Sequence, residues 1–122
     1  MCPSSVKKQD PYLFIYLREM LDAAERILNY TAHITFEDFV KEQMLLDAVL
    51  RNFEVLGEAG NHVPFTFRKK SKNIPWANMY SLRNHIAHEY FDVDLEILWE
   101  IISHDLPHNV RDLRNLINTN SL

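Results

Sequence analysis

Apolar residues recur at three- and four-residue intervals along most of the chain, which is the spacing of one face of an α-helix. The first run follows Asp10-Pro11, a pair typical of a helix N-cap and a first helical position. It predicts a helix that continues to about Tyr30. The apolar positions of this helix are Leu13, Leu17, Met20, Leu21, Ala24, Ile27 and Leu28.

A second helix is predicted to begin at Thr35, because Glu37 and Asp38 in its first turn suit the positive end of the helix dipole. The pattern then continues to about Asn61, so it predicts one long helix. Gly57 inside it costs about 1 kcal/mol relative to alanine, and we interpret it as marking a close contact with another helix. The apolar positions are Phe39, Val40, Met44, Leu45, Ala48, Val49, Phe53 and Leu56.

The second half of the chain predicts a loop followed by shorter helices. Residues 62–73 are predicted to be a loop, and Pro75 starts a third helix whose core stripe holds Trp76, Met79, Leu82 and Ile86. Residues 91–94 break that helix, and Asp92 or Asp94 caps a fourth one carrying Leu95, Leu98, Trp99 and Ile102. Pro107 interrupts the pattern before a last helix that runs to about Asn118.

No segment alternates convincingly between apolar and polar residues, so the fold class is predicted as all-α, an up-and-down bundle of four or five helices. A chain of 122 residues can form one domain with a substantial core, predicted over 1–122 with the core at about 10–118. Only two glycines are present, which argues against tight hairpins and glycine-rich phosphate loops.

Charge and cysteine content restrict the chemistry further. The net charge is −4, so an RNA-binding surface must be a local patch or be assembled by oligomerisation. The single cysteine, Cys2, excludes an intrachain disulfide and a cysteine-based zinc site. Residues 1–10 lack an apolar signal-peptide core, and no run approaches the ~18 apolar residues of a membrane span. A cytoplasmic protein is therefore expected.

The octapeptide at residues 83–90, RNHIAHEY, concentrates the candidate chemistry. Arginine can hold a phosphate with a fixed fork of donors, and histidine can move a proton near neutral pH. On a helical wheel Arg83, Asn84 and His88 share one polar flank, and Tyr90 comes nearly back over Arg83. Such a set can perform metal-free phosphoryl chemistry, of which RNA cleavage is an example.

Spacing alone still favours a solvent-exposed polar helix face over a site, and packing at the helix end over a function for Tyr90. A metal site at His85 and His88 is disfavoured, because the pair lacks the i,i+4 spacing of zinc helices and no third ligand is evident. We therefore expect no metal and no cofactor. The basic group Arg68–Lys72 suits a solvated loop, although a contact with RNA or a partner stays open.

At these residues the chain resembles the HepT-like (minimal HEPN) ribonuclease toxins. Arg83, His88 and Tyr90 match the family pattern R-x4-H-x-Y, with Asn84 as its polar residue. The resemblance extends over about residues 10–118. The flanking segments that share it are DAVLRN at 47–52, GEA at 57–59, IPW at 74–76, YFDVDL at 90–95 and DLP at 105–107.

The resemblance implies a metal-independent endoribonuclease toxin of a type II toxin–antitoxin system. Its catalytic residues would be Arg83 and His88, supported by Asn84, with RNA (tRNA or mRNA) as substrate. An MntA-like nucleotidyltransferase antitoxin would silence it by transferring AMP to Tyr90, where the added phosphate would compete for Arg83. The family is also dimeric, and because one histidine does not easily serve as both base and acid, a homodimer would supply the second.

Two other interpretations remain. In the first, the chain is a non-catalytic helical module that pairs with a nucleotidyltransferase and binds RNA or nucleotide without turnover. In the second, it is a purely structural helical protein. Cleavage of RNA that survives EDTA separates the enzyme from both.

Overall fold

The computed structural model describes residues 11–120, and those residues form helices and connections with no strand. The all-α prediction is thus confirmed for this part of the chain. The predicted N-cap Asp10 lies outside the described residues. In chain order the helices are α1 Leu13–Thr31, α2 Phe36–Lys41, α3 Gln43–His62, α4 Phe65–Arg68, α5 Trp76–His88, a 3-10 turn Tyr90–Asp92, α6 Leu95–Glu100, a π-helical segment Ile101–Asp105 and α7 Leu106–Asn120.

Helices α1 and α3 form an antiparallel pair. Arg26 Nε donates to Asn52 Oδ1 over 2.8 Å, and the Tyr16 ring stacks on His62 with centroids 5.1 Å apart. The predicted core stripe of α1 is buried except at its last position, Leu28, which is half-buried. Hydrophobic burial along this stripe is what holds α1 against α3 and α7.

The prediction of one helix from Thr35 to Asn61 is wrong, because the backbone leaves the helical region at Glu42 (φ −101°, ψ 98°). The start at Thr35 is confirmed by a capping box, in which Thr35 Oγ1 accepts from the Asp38 N–H over 3.1 Å. Val40 and Met44, both predicted as core, lie on either side of this break and are 37% and 84% exposed.

Residues 62–73 contain the single-turn helix α4 within the predicted loop. Phe67 is buried beneath it, and the Trp76 indole N–H donates to the Ser71 carbonyl oxygen over 2.9 Å. This bond fixes the connection to the first turn of α5. It also satisfies the indole N–H, which usually needs a hydrogen-bond partner when the ring is buried.

From Leu95 the chain stays helical to Asn120, although Pro107 lies within the run. Asp94 caps the start, its carboxylate accepting from the N–H groups of Glu96 and Ile97. Proline removes a backbone donor and its ring crowds the preceding turn. The π segment before it, in which the Leu106 N–H bonds to Ile101 O, accommodates this without ending the helix. Counting this run as one, the described residues hold six helices, against the four or five predicted.

None of the helices in residues 11–120 is both long and apolar enough to cross a membrane.

Candidate active site

The contact between α3 and α5 sets the position of Arg83. A Cβ placed on Gly57 would lie 2.5 Å from the Cβ of Arg83 and 2.5 Å from the carbonyl oxygen of Met79. Real carbon atoms do not approach so closely, so only glycine permits this crossing. The predicted role of Gly57 as a close helix contact is confirmed, and that contact is beside the motif arginine.

Arg83 is 30% exposed and holds two polar partners. Its Nε lies 3.1 Å from Glu58 Oε1 on α3, and an Nη nitrogen donates to Asn84 Oδ1 over 2.9 Å. The guanidinium also lies 5.9 Å from the centroid of the Tyr80 ring. Arg83 and Asn84 are therefore brought together as the wheel predicted, with the guanidinium oriented from two sides.

A groove of about 470 Å³ opens at this guanidinium. Its lining contains both cations and carboxylates. The cations can donate hydrogen bonds to a phosphate, and the nearby carboxylates neutralise part of their charge in the free protein. The lining residues are Tyr16, Glu19, Arg26, Arg51, Glu54, Val55, Glu58, Ala59, His62 and Arg83.

His88 is the last residue of α5 and is exposed. No other described residue bonds to or pairs with its imidazole. The ring is consequently open to a ligand from solvent, or to a second protein chain, as a proton-transfer group must be.

Tyr90 does not continue the α5 wheel, contrary to prediction. The helix ends at His88, Glu89 takes φ −137° and ψ 56°, and Tyr90 begins the 3-10 turn. Its hydroxyl donates a hydrogen bond to Asp47 Oδ1 on α3. The tyrosine is thus attached to α3 instead of lying over Arg83.

The Tyr90–Asp47 bond shifts the acidity of both groups. It is the main cause that raises the pKa of Tyr90, followed by desolvation and then by the negative charges of Asp47 and Glu54. The same bond lowers the pKa of Asp47, assisted by a hydrogen bond from Gln43. At neutral pH Tyr90 is therefore a neutral donor to a carboxylate, and the residue as a whole is 37% exposed.

Asp47 and Glu58 are site residues to which sequence reasoning assigned no role. Both lie on α3, eleven positions apart, which places them on the same helix face about 16 Å apart along the axis. The signal was present in the sequence, since both belong to the flanking segments of the family resemblance. Nothing in their spacing from residues 83–90 identifies them as partners of the motif.

The structure groups His85 with Glu89 and Asp92, whereas the histidine pair considered from sequence was His85 with His88. The candidate ligand atoms of the three lie within 4.8 Å of one another and all three residues are exposed. Asp92 supplies the third candidate ligand that the sequence did not reveal. Both ring nitrogens of His85 already face oxygen atoms, Glu89 Oε1 at 3.5 Å and Asp92 O at 3.2 Å.

Comparison with known proteins gives one consistent family. A family model described as "Ribonuclease HepT-like" matches residues 20–118. "Putative RNase MJ1380" of Methanocaldococcus jannaschii is 35% identical over 84% of this chain and 92% of its own length. "Probable ribonuclease HepT" of Thermococcus cleftensis is 37% identical over 75% of this chain and 84% of its own.

A second Methanocaldococcus jannaschii relative, "Putative RNase MJ0127", is 33% identical over 90% of this chain and 89% of its own length. Among solved structures, none matches the chain significantly. The matched range runs from Met20 in α1 through nearly all of α7, so it includes the motif at residues 83–90 and its partners Asp47 and Glu58. On this evidence the chain belongs to the HepT-like ribonuclease family.

Proposed function

We propose that this protein is a metal-independent endoribonuclease and the toxin of a type II toxin–antitoxin system. The observation that carries the proposal is the similarity to ribonucleases over nearly the whole chain, joined to a solvent-facing imidazole and an oriented guanidinium on one helix. The roles of Arg83, Asn84 and His88 follow from their chemistry.

In the proposed reaction a ribose 2′-hydroxyl oxygen attacks the adjacent phosphorus, and the bond to the 5′-oxygen breaks. His88 takes the 2′-hydroxyl proton or gives one to the leaving 5′-oxygen. Arg83 neutralises charge that grows on the non-bridging oxygens. Asn84 holds the guanidinium through the 2.9 Å bond to its side-chain oxygen, which makes it a positioning residue.

Binding of phosphate by Arg83 competes with Glu58. The pair is partly exposed, with 30% and 45% of the two side chains accessible, and exposed ion pairs contribute only about 0–1 kcal/mol. A phosphate can accept two parallel hydrogen bonds from the guanidinium, which is a stronger interaction than the single contact with Glu58. Glu58 therefore holds Arg83 in place in the free protein without preventing RNA from binding.

A homodimer would place two copies of His88 at one cleavage site, one as base and one as acid. Two large apolar side chains near the motif favour such an interface: Phe91 is 99% exposed and Met44 is 84% exposed. Phe91 packs edge-on against Tyr90, and Met44 lies one turn before the Asp47 that holds Tyr90. Exposed apolar surface of this kind is typical of contact sites between protein chains.

The test is RNA cleavage by His88→Ala and Arg83→Ala, in the presence and absence of EDTA. Each change should reduce cleavage by at least about 100-fold, the scale of a lost general base or charge-stabilising donor. His104→Ala and Arg111→Ala are matched controls, because both residues are exposed and lie on the C-terminal helical run. Parent-level cleavage by either motif variant refutes the catalytic assignment.

Failure of the parent protein itself to cleave RNA, with RNA or nucleotidyltransferase binding retained, would favour the binding module over the enzyme. Loss of cleavage in EDTA would show that a metal ion takes part. Circular dichroism of each variant checks that the helical fold is unchanged.

We further propose that AMP transferred to Tyr90 by a nucleotidyltransferase antitoxin silences the nuclease. The modified oxygen would lose the hydrogen that it donates to Asp47. Its phosphate would add negative charge next to Asp47 and near Glu54, whose charge already acts on Tyr90. Repulsion would displace the 3-10 turn from α3, directly after His88 in the chain.

A further inference from the structure

We propose that the surface formed by Phe65, Arg68, Lys69 and Lys72 with the first turn of α5 is an exosite for single-stranded RNA, separate from Arg83 and His88. This inference rests on the proposed function, since it assumes an RNA substrate. It goes beyond that function by assigning a binding surface, its ligand and the way the ligand would be held.

Charge is strongly segregated along the sequence. Residues 59–88 contain Arg68, Lys69, Lys70, Lys72 and Arg83 but no aspartate or glutamate, whereas the rest of the chain holds the other 8 basic residues and all 17 acidic ones. In an acidic protein, a stretch with five cations and no carboxylate of its own is suited to a polyanion. The stretch also contains Arg83 and His88 of the motif, so one RNA strand could contact the basic group and the motif together.

An exposed aromatic ring lies among these cations. Phe65 is 65% exposed, and Phe67, two residues later on the same single-turn helix, is buried and holds the helix to the core. The Arg68 guanidinium carbon lies 5.7 Å from the Phe65 ring centroid, and the Lys69 ammonium lies 5.5 Å from it. Aromatic faces joined to cations are how sequence-tolerant proteins bind single-stranded RNA, by stacking of bases and pairing with phosphates.

The cations and the aromatic ring of this surface line one groove. An open groove of about 360 Å³ is lined by Phe65, Arg68, Lys69, Lys72, Ile74, Pro75, Trp76, Ala77 and Asn78. Arg68 Nε is buried and has no hydrogen-bond partner. Because Nε itself is shielded from solvent, a phosphate would meet this half-buried side chain through the other guanidinium nitrogens.

The surface is built to stay in place and is aligned with the motif. The bond from the Trp76 indole to Ser71 O fixes the basic loop to the start of α5. The same helix ends at His88, about 18 Å along its axis from Trp76. A strand of RNA lying along α5 could therefore stack on Phe65 and reach the motif, which favours substrates longer than a few nucleotides.

The test measures binding of a fluorescent single-stranded 2′-O-methyl oligouridine, which lacks the hydroxyl needed for cleavage. Phe65→Ala should weaken binding at least about fivefold, the low end of one lost base stack, and Phe65→Tyr should retain it. The double variant Lys69→Glu with Lys72→Glu should also weaken binding. The slope of log K against log salt concentration should become shallower by about 1.4, the value for two lost phosphate contacts on a single strand.

Matched controls lie outside the acid-free stretch. Tyr30→Ala removes an exposed aromatic ring at the opposite end of the α1–α3 pair, and Arg18→Glu with Lys41→Glu makes the same change of net charge. Controls should bind the oligonucleotide like the parent. The variants at Phe65, Lys69 and Lys72 are called patch variants. Equal losses of RNA affinity in patch and control variants, or no loss in the patch variants, would overturn the exosite.

Patch variants that bind RNA like the parent but lose a nucleotidyltransferase partner would also overturn it, since the surface would then be a protein interface. Because the probe cannot be cleaved, this result is independent of catalysis. A parent that binds the probe through Phe65 yet never cleaves RNA would refute the proposed enzyme and keep the exosite. If the parent cleaves RNA while the patch variants bind the probe normally, the proposed enzyme is kept and the exosite is refuted.

Discussion

Tyr90 is bonded to a carboxylate of a neighbouring helix, and this contact changes what the residue can do. A free phenol at a helix end could adopt many positions, whereas Tyr90 has one acceptor in Asp47 and one ring neighbour in Phe91. Its oxygen is therefore held at a defined place on the surface. That placement suits a group that another enzyme must recognise, and it makes two predictions at the scale of single residues.

Replacing Asp47 by asparagine should lower the pKa of Tyr90 toward the ordinary tyrosine value, because the main cause of its elevation is the bond to that carboxylate. The pKa is measured from the ring ¹³Cζ shift of labelled tyrosine as pH rises. Glu54→Gln should produce a smaller decrease, because Glu54 contributes only through its charge. An unchanged titration in Asp47→Asn would show that the hydrogen bond is not formed in solution.

The same shifts determine the pH range in which the bond stabilises the fold. Asp47 has a lowered pKa, so its contribution is present above the unfolded value of 3.8 and is lost as pH falls through the lower folded value. Tyr90 has a raised pKa, so its contribution is present below 10.0 and is lost as pH rises through the higher folded value. The bond therefore acts fully across the range between those two values.

Tyr90→Phe should cleave RNA at close to the parent rate, since no proton of this hydroxyl takes part in the proposed reaction. It should resist neutralisation by an AMP-transferring antitoxin, because the attacking oxygen is gone. Growth arrest on co-expression with the antitoxin, together with the intact mass of the purified toxin, measures both effects. Tyr80→Phe, on α5 beside Arg83, is the matched control. AMP found on the Tyr90→Phe protein would place the modification elsewhere.

At the residue scale, sequence located the motif but not its partners. Arg83, Asn84 and His88 stand out because their functional groups are close in the chain and share a helix face. Glu58 and Asp47 are 25 and 43 positions away from Arg83 and Tyr90, so only helix packing brings them into contact. Carboxylates are common on helix surfaces, and nothing local distinguishes these two.

Among the elements, the α3–α5 contact is the one on which the site depends. Helix α3 supplies both carboxylates, and α5 and its 3-10 extension supply their partners. The two helices run antiparallel, because Arg83 meets Glu58 near the end of α3 while Tyr90 meets Asp47 near its start. Gly57 lies in this contact, where the backbone of α5 leaves no space for a methyl group.

Gly57→Ala should reduce the free energy of unfolding by about 1–3 kcal/mol, the usual cost of adding volume to a packed contact, despite the better helix propensity of alanine. The added carbon would lie 2.5 Å from the Met79 carbonyl oxygen and 2.5 Å from the Arg83 Cβ, and neither atom can move without shifting α5. Cleavage activity should fall as well. Urea unfolding and an RNA cleavage assay measure the two effects.

Gly60→Ala is the matched control on the same helix. Its new carbon would lie 3.1 Å from the terminal methyl group of Met20, a flexible side-chain end that needs to shift by only a few tenths of an ångström. We expect a change of stability between zero and a gain of about 1 kcal/mol. Equal stability of the two alanine variants would contradict the close-contact explanation.

Element boundaries were predictable where a local signal marks them. The capping residues Thr35 and Asp94 and the start near Pro75 act through their own backbone neighbours, and all three hold in the structure. The break at Glu42 has no glycine or proline to announce it. The effect of Pro107 also differed from expectation, because a π segment let the helix continue.

For the whole molecule, the proposed pairing of two His88 side chains makes activity depend on dimer composition. Mixing the parent with an equimolar amount of His88→Ala, under conditions that exchange subunits, should reduce the parent's cleavage to about one half, because random pairing places half of the parent chains in mixed dimers. Independent active sites in each chain would leave the rate unchanged. A monomer in sedimentation at the assay concentration, with full activity, would reject the dimeric mechanism.

The periodic placement of apolar residues determined the helical class and most of the core, because burying an apolar stripe depends only on spacing within each helix. The order of residues 83–90 likewise determined the candidate motif. Tertiary structure decided which α3 carboxylates meet Arg83 and Tyr90, that Tyr90 leaves the helix, and that Phe65 stands exposed among cations beside the start of α5. Those features depend on distances between segments far apart in the chain, which no local pattern encodes.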